Sequence, residues 1–235
     1  MRFFSALSLA LVLACGSAQA ATFVFTEGDF APGSMSLATL QGPGGGQVAA
    51  QSSNGVPGTA HQVTTTQSVA VATAHILVGA SVDPTVSALE SVGFSIDFTP
   101  VNAFGQGQAV GLILRQDGNY FSATSTITGA SGTGSFVQTG LDALVEADFT
   151  DFDAFNGSGN PVDMVNFSGG GVIEFGFFTA NQGGGGISIA YDNLRIEAAA
   201  VPVPAALPLA VTALAGLGAL GWRRRARARA TSANP

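Results

Sequence analysis

Two histidines, His61 and His75, stand fourteen positions apart in the chain. That is too far for the i, i+4 pair that sets two imidazoles on one helix face around a metal, and each taken alone reads as a lone surface histidine. The carboxylates are more concentrated. Asp148, Asp151 and Asp153 crowd with Asn156 into the stretch "EADFTDFDAFNGSGN", a density of oxygen ligands of the kind calcium takes. The spacing is not that of an EF-hand, because Phe155 occupies the third ligand position and no helices flank it. The stretch reads as a solvated loop with Phe149 and Phe152 packed inward. Glu174 and Asp97 are the types that hydrolyse a glycosidic bond when held a few ångströms apart, but nothing in the sequence brings them together. No G-x-S-x-G elbow supplies a nucleophile. Catalysis is not expected.

The elements that carry these residues read as strands. Phe23–Phe25, Val69–Val71, Val92–Phe98, Ala109–Leu114, Val172–Phe178 and Ile187–Ile196 are apolar or alternating runs bounded by Gly, Asn, Asp or Pro. In "SVGFSIDF" the period of two sends Val92, Phe94, Ile96 and Phe98 to one face and Gly93, Ser95 and Asp97 to the other. Only Pro84–Ser91 and Leu141–Ala147 suggest short helices. Glycine runs at 44–46, 169–171 and 183–186 mark loops, and no repeat of solenoid length occurs. Many strands and little helix over about 180 residues predict an all-β, jelly-roll-like two-sheet sandwich.

Composition limits the partners. All 15 acidic residues fall between Glu27 and Glu197, where Arg115 and Arg195 are the only bases, leaving that region at −13. Such a surface repels nucleic acid and anionic lipid headgroups.

The two ends read as targeting segments. Met1-Arg2, the apolar Phe3–Val12 and the small-x-small site Ala18-Gln19-Ala20 form a signal peptide over 1–20, cut before Ala21. Val12-Leu13-Ala14-Cys15 offers the competing reading, a loosely matched lipobox in which Cys15 is lipidated. Cleavage after Ala20 removes the only cysteine, so the exported domain over 21–198 has no disulfide. At the other end, Ala205–Trp222 is uncharged and as a helix of roughly 27 Å reaches across a hydrocarbon core. Arg223, Arg224, Arg225, Arg227 and Arg229 follow as a stop-transfer cluster, which places the tail in the cytoplasm and the domain outside the inner membrane.

Within the last segment, 199–235, the order Val201-Pro202-Val203-Pro204-Ala205, apolar helix and Arg cluster resembles the VPLPA-CTERM branch of the PEP-CTERM sorting signals of exported bacterial proteins. Val203 replaces the usual leucine. The resemblance implies processing by an exosortase after signal peptidase has acted, and then release to, or attachment at, the cell surface. Two prolines also hold the motif extended, a form that suits an enzyme cleft.

A shorter stretch, Tyr191-Asp192-Asn193-Leu194-Arg195-Ile196, resembles the closing strand of galactose-binding-like and concanavalin-like jelly rolls. In carbohydrate-binding members a calcium often ties the first strand to the last, and the resemblance makes Glu27, Asp29 and Asp192 its candidate ligands here. Without the resemblance, Asp192 and Asn193 read as a bulge or turn in the last strand. The E-x-D-x-x-E signature of laminarinase-type jelly rolls is missing from both "SIDF" and "VIEFGFF". Two functions follow as expectations. The first is a non-catalytic envelope or extracellular-matrix protein, and the alternative is a calcium-dependent glycan-binding module with exopolysaccharide as partner. The scarcity of Trp and Tyr, the residues that usually make sugar platforms, favours the first.

Overall fold

The computed structural model describes residues 20–42, 46–55, 58–66, 69–102, 108–127, 137–152, 164–181 and 186–201. Thr22–Val201 form one compact unit. Residues 1–19, where a signal peptide is expected, and everything after Val201 lie outside the described residues, the motif residues from Pro202 onward, the apolar segment and the Arg cluster included. Among the described residues no helix is long and apolar enough to cross a membrane.

The described unit is all-β, two antiparallel sheets arranged as in a jelly-roll sandwich. The strands are β1 (Thr22–Glu27), β2 (Met35–Gln41), β3 (Gln47–Gly55), β4 (Gly58–Thr65), β5 (Val71–Val82) and β6 (Leu89–Pro100). They continue with β7 (Gln108–Gln116), β8 (Asn119–Ile127), β9 (Val137–Leu144), β10 (Thr150–Asp151), β11 (Ile173–Asn181) and β12 (Ile187–Ala200). One sheet runs β3-β4-β12-β6-β9, with β1 also paired to β12; the other runs β10-β8-β7-β11-β5-β2.

The period of two in the sequence becomes the core. Val92, Phe94, Ile96 and Phe98 of β6 meet Val110, Leu112 and Leu114 of β7 and Ile173, Phe175 and Phe177 of β11 between the sheets. In β12 the inward positions change phase, from Ile189 and Tyr191 to Leu194 and Ile196. The Asp192–Asn193 bulge makes that shift: the pairing to β6 jumps between Asp192 and Arg195, and Asn193 has φ +50°. A smaller apolar cluster, Ala72, Ala74, Ile76, Ile113, Phe152 and Phe178, lies on the other face of the second sheet.

Neither expected helix forms. Asp83 Oδ1 accepts the Thr85 N–H (2.9 Å) and hydroxyl (2.6 Å), fixing a turn, and β6 begins at Leu89, whose N–H donates to Phe167 O at 2.8 Å. Over Leu141–Ala147 the strand β9 continues through Leu144 because Leu141 pairs with Phe94 of β6, and one 3-10 turn, Glu146–Asp148, is all that remains. In both places pairing to a distant strand overrides local propensity.

Candidate functional site: a buried histidine pair under an edge cleft

His61 on β4 and His75 on β5 are not surface histidines. They are 6% and 0% exposed, because each occupies an inward position, His61 with Val63 and Thr65, His75 between Thr73 and Leu77. The strands belong to opposite sheets, so the two rings meet across the interior. His61 Nε2 lies 3.0 Å from His75 Nδ1, with the rings edge to face at 85°. Phe177 stacks on His75 (4.7 Å, 10°) and Phe30 packs against His61 at 5.3 Å.

The pair belongs to a longer chain of hydrogen bonds. His75 Nε2 is 3.1 Å from Thr179 Oγ1, Thr179 donates to Gln47 Oε1 at 2.8 Å, and Gln47 Nε2 reaches Thr65 Oγ1 at 3.5 Å. With the Gln47 amide set so that Oε1 faces Thr179 and Nε2 faces Thr65, the direction of each bond follows from proton counting. Thr179 has one hydroxyl proton and gives it to Gln47, so it accepts from His75 Nε2–H. Burial lowers the pKa of His61 to about 4; burial and then the neighbouring His61 hold His75 well below its ordinary value. Both rings are neutral at pH 7, His75 Nδ1 is therefore a lone pair, and His61 Nε2–H donates to it. His61 Nδ1 is left as an acceptor that no donor among the described residues meets.

His61 also floors a cleft of about 210 Å³ at the open edge of the sandwich. Met35 and Leu37 of β2 form one wall and Ala49, Ala50 and Gln51 of β3 the other, with Phe30–Ser34 at the rim. The rim is pinned. Phe30 N–H donates to Glu27 Oε1 (2.7 Å), and Asp29 O accepts from Gln51 Nε2 (2.6 Å) and Thr59 Oγ1 (2.5 Å). This hold keeps Phe30 at φ +43°, a left-handed conformation unusual for an aromatic residue. Ser34 lines the cleft with a buried hydroxyl lacking a partner among the described residues.

The acidic residues singled out in the sequence go elsewhere. Glu174 on β11 pairs with Arg115 through Nε at 2.5 Å, and Asp97 on β6 accepts from Asn193 Nδ2 at 2.9 Å. They stand on different sheets and form no catalytic pair. Asp148 accepts the Val145 N–H at 2.8 Å, Asp151 lies in β10, and Asp153 and Asn156 fall outside the described residues. Phe149 enters the main core and Phe152 the outer cluster. Of the candidate calcium ligands, Glu27 is bonded to Phe30, Asp29 offers its main-chain oxygen to Gln51 and Thr59, and buried Asp192 accepts the N–H of Asn193 at 2.8 Å. Among the described residues no three His, Cys, Asp or Glu side chains converge.

Sequence reasoning missed the histidine network with Gln47, Thr65 and Thr179. The signal was there in "VATAHILV", a histidine inside an otherwise uncharged apolar run.

No protein-family model matches the chain, and no curated protein matches it. Among solved structures, the chain is similar to the family 11 carbohydrate-binding module of the cellulosomal cellulase Lic26A-Cel5E of Clostridium thermocellum. The identity is 13%, the TM-score 0.44, and the match covers 75% of this chain and 95% of that one. It is also similar to a protein of unknown function from Shewanella oneidensis MR-1 (15%, TM-score 0.42, 84% and 94% covered). A third likeness is to the arabinose-bound α-L-arabinofuranosidase MgGH51, with 13% identity and TM-score 0.45; it spans 73% of this chain and 24% of that one.

Proposed function

We propose that the Thr22–Val201 unit is a non-catalytic glycan-binding module of an exported envelope protein, and that the ligand enters the β2/β3 cleft. One observation carries the binding part: a buried, neutral histidine with an unmet acceptor lines a cleft that also takes in Phe30, Met35 and Leu37. A sugar ring has the matching character, hydroxyl donors on its edges and apolar C–H faces. Hydrolysis would need two carboxylates flanking the bond, and none lines the cleft among the described residues. Binding alone is what these residues supply. The test is a glycan array probed with the full chain and with His61→Phe: signal lost in the variant supports the reading, and no signal with either protein refutes it.

Delivery rests on the sequence of the ends. In this proposal signal peptidase cuts after Ala20, Ala205–Trp222 holds the chain in the inner membrane, and an exosortase acts at Val201–Ala205. Because β1 pairs antiparallel with β12, Thr22 opposite Ala199, the chain enters and leaves the domain at one end. Val201, the first residue of the motif, donates its N–H to Ala88 O at 2.7 Å. Replacing Pro202 and Pro204 with alanine is expected to leave the chain uncut in a host carrying an exosortase; unchanged processing would remove the sorting reading and leave the glycan reading standing.

A further inference from the structure

We infer that the cleft selects the terminal residue of a neutral glycan, and that His75, Thr179 and Gln47 set this selectivity by fixing which nitrogen of His61 carries the proton. The inference rests on the glycan-binding reading and names its ligand class.

Three observations support it. With Gln47 Oε1 toward Thr179 and Nε2 toward Thr65, the hydrogen-bond chain has one direction. Gln47 Oε1 takes the Thr179 proton, Thr179 therefore takes the His75 Nε2 proton, and His75 Nδ1 takes the His61 Nε2 proton. Reversing any single link leaves two protons or two lone pairs facing each other in a buried site, which costs a desolvated polar group; only a turn of the Gln47 amide would reverse the whole chain together. His61 is thus held as the tautomer with a lone pair on Nδ1, and its ligand must present a donor there. A carboxylate or phosphate oxygen would bring a second lone pair.

The electrostatics agree. No arginine, and no charged side chain of any kind, lines the cleft among the described residues, so an anionic ligand finds no counter-charge. Two described titratable groups face His61, His75 across the sheets and buried Tyr191 opposite it on β12, with Phe30 and Phe177 as its ring contacts. A neutral hydroxyl is the donor that fits without a buried charge.

Size then separates chain ends from chain middles. Drug-sized ligands occupy pockets of roughly 300–1,000 Å³, and this cleft holds about 210 Å³. Its lining includes the His61 ring, itself backed by His75, so the space is closed on that side. A single sugar ring entering end-on fills such a space, whereas an internal residue, substituted on both sides, needs a groove open at two ends.

The experiment is nitrogen-15 NMR of the full chain in detergent, with labelled histidine, using as probes a panel of neutral hexoses, tetrahydropyran and a cyclic oligosaccharide. Tetrahydropyran has the six-membered ring without a donor, and the cyclic oligosaccharide has no chain end. A hexose is expected to move the His61 Nδ1 resonance while the other two leave it in place. Movement by tetrahydropyran equal to that by the hexose overturns the donor requirement; equal movement by the cyclic oligosaccharide overturns the chain-end requirement. If the array reports glycan binding that survives in His61→Phe, the glycan reading stands and this cleft is not the site. Thr179→Val tests the positioning residues: the histidine tautomer pattern should redistribute and hexose affinity fall, with Thr179→Ser restoring both. A melting temperature lowered with tautomers and affinity unchanged would make Thr179 merely structural and overturn its assigned role.

Discussion

His61 Nε2 and His75 Nδ1 face each other at 3.0 Å across the sandwich, one ring from each sheet. The contact makes the union of the two sheets sensitive to protons, because a ring that gains a proton here gains a charge in a site without a carboxylate partner.

Stability should therefore fall with acidification in a defined window. An unfolded histidine titrates near its ordinary 6.5, whereas folded His61 is lowered to about 4 by burial. Between these values the unfolded chain binds the proton and the folded one does not, so the His61 contribution is complete above about pH 6.5 and is lost as pH falls toward 4. The full loss is about 3 kcal/mol for His61, and the downward shift of His75 acts in the same direction. Urea denaturation at pH 7 and pH 4.5 measures it. Equal midpoints would refute the buried neutral pair.

Gln116 closes the opposite end of the sandwich. Its Nε2 donates to the carbonyls of Asn166 (3.0 Å), Gly169 (2.9 Å) and Gly171 (3.0 Å), and its Oε1 accepts the Asn166 N–H at 2.8 Å. Gln116→Glu replaces the donor with an oxygen facing three carbonyl oxygens. The expected cost is about 1–3 kcal/mol, with hydrogen exchange accelerated at the amides of Asn166 and Gly171 and unchanged protection along β12. Uniform acceleration everywhere would show that the loop is not an independent clamp.

Gly176 sits where β11 slips register against β5, and a Cβ there would collide with the backbone carbonyl of His75. Backbone cannot swing aside as a side chain can, so Gly176→Ala should cost about 1–3 kcal/mol by overpacking. It should also displace the His75 ring, visible as a changed nitrogen-15 shift. A neutral effect on the unfolding midpoint would mean that the bulge absorbs the methyl group.

Calcium is expected to leave the melting temperature unmoved, since Glu27, Asp29 and Asp192 do not gather into one group among the described residues. A cation bound only by the folded state would raise it by mass action. A rise of several degrees in millimolar calcium, abolished by Asp192→Ala, would establish a shared site.

The sequence alone determined the all-β class, the inward face of β6 and a bulge or turn at Asp192–Asn193, because a period of two and the residues that break it are local properties of a strand. It did not determine the ends of the elements at 84–91 and 141–147, where a partner strand far along the chain outweighs helical propensity. The site lay further out of reach. The apolar run around His75 hinted at burial, but nothing in a sequence states that two strands of different sheets will face each other at His61 and His75. The packing of one sheet on the other made that decision. It buried both rings, forced them neutral, and let the single proton of Thr179 fix the direction of every bond back to the cleft.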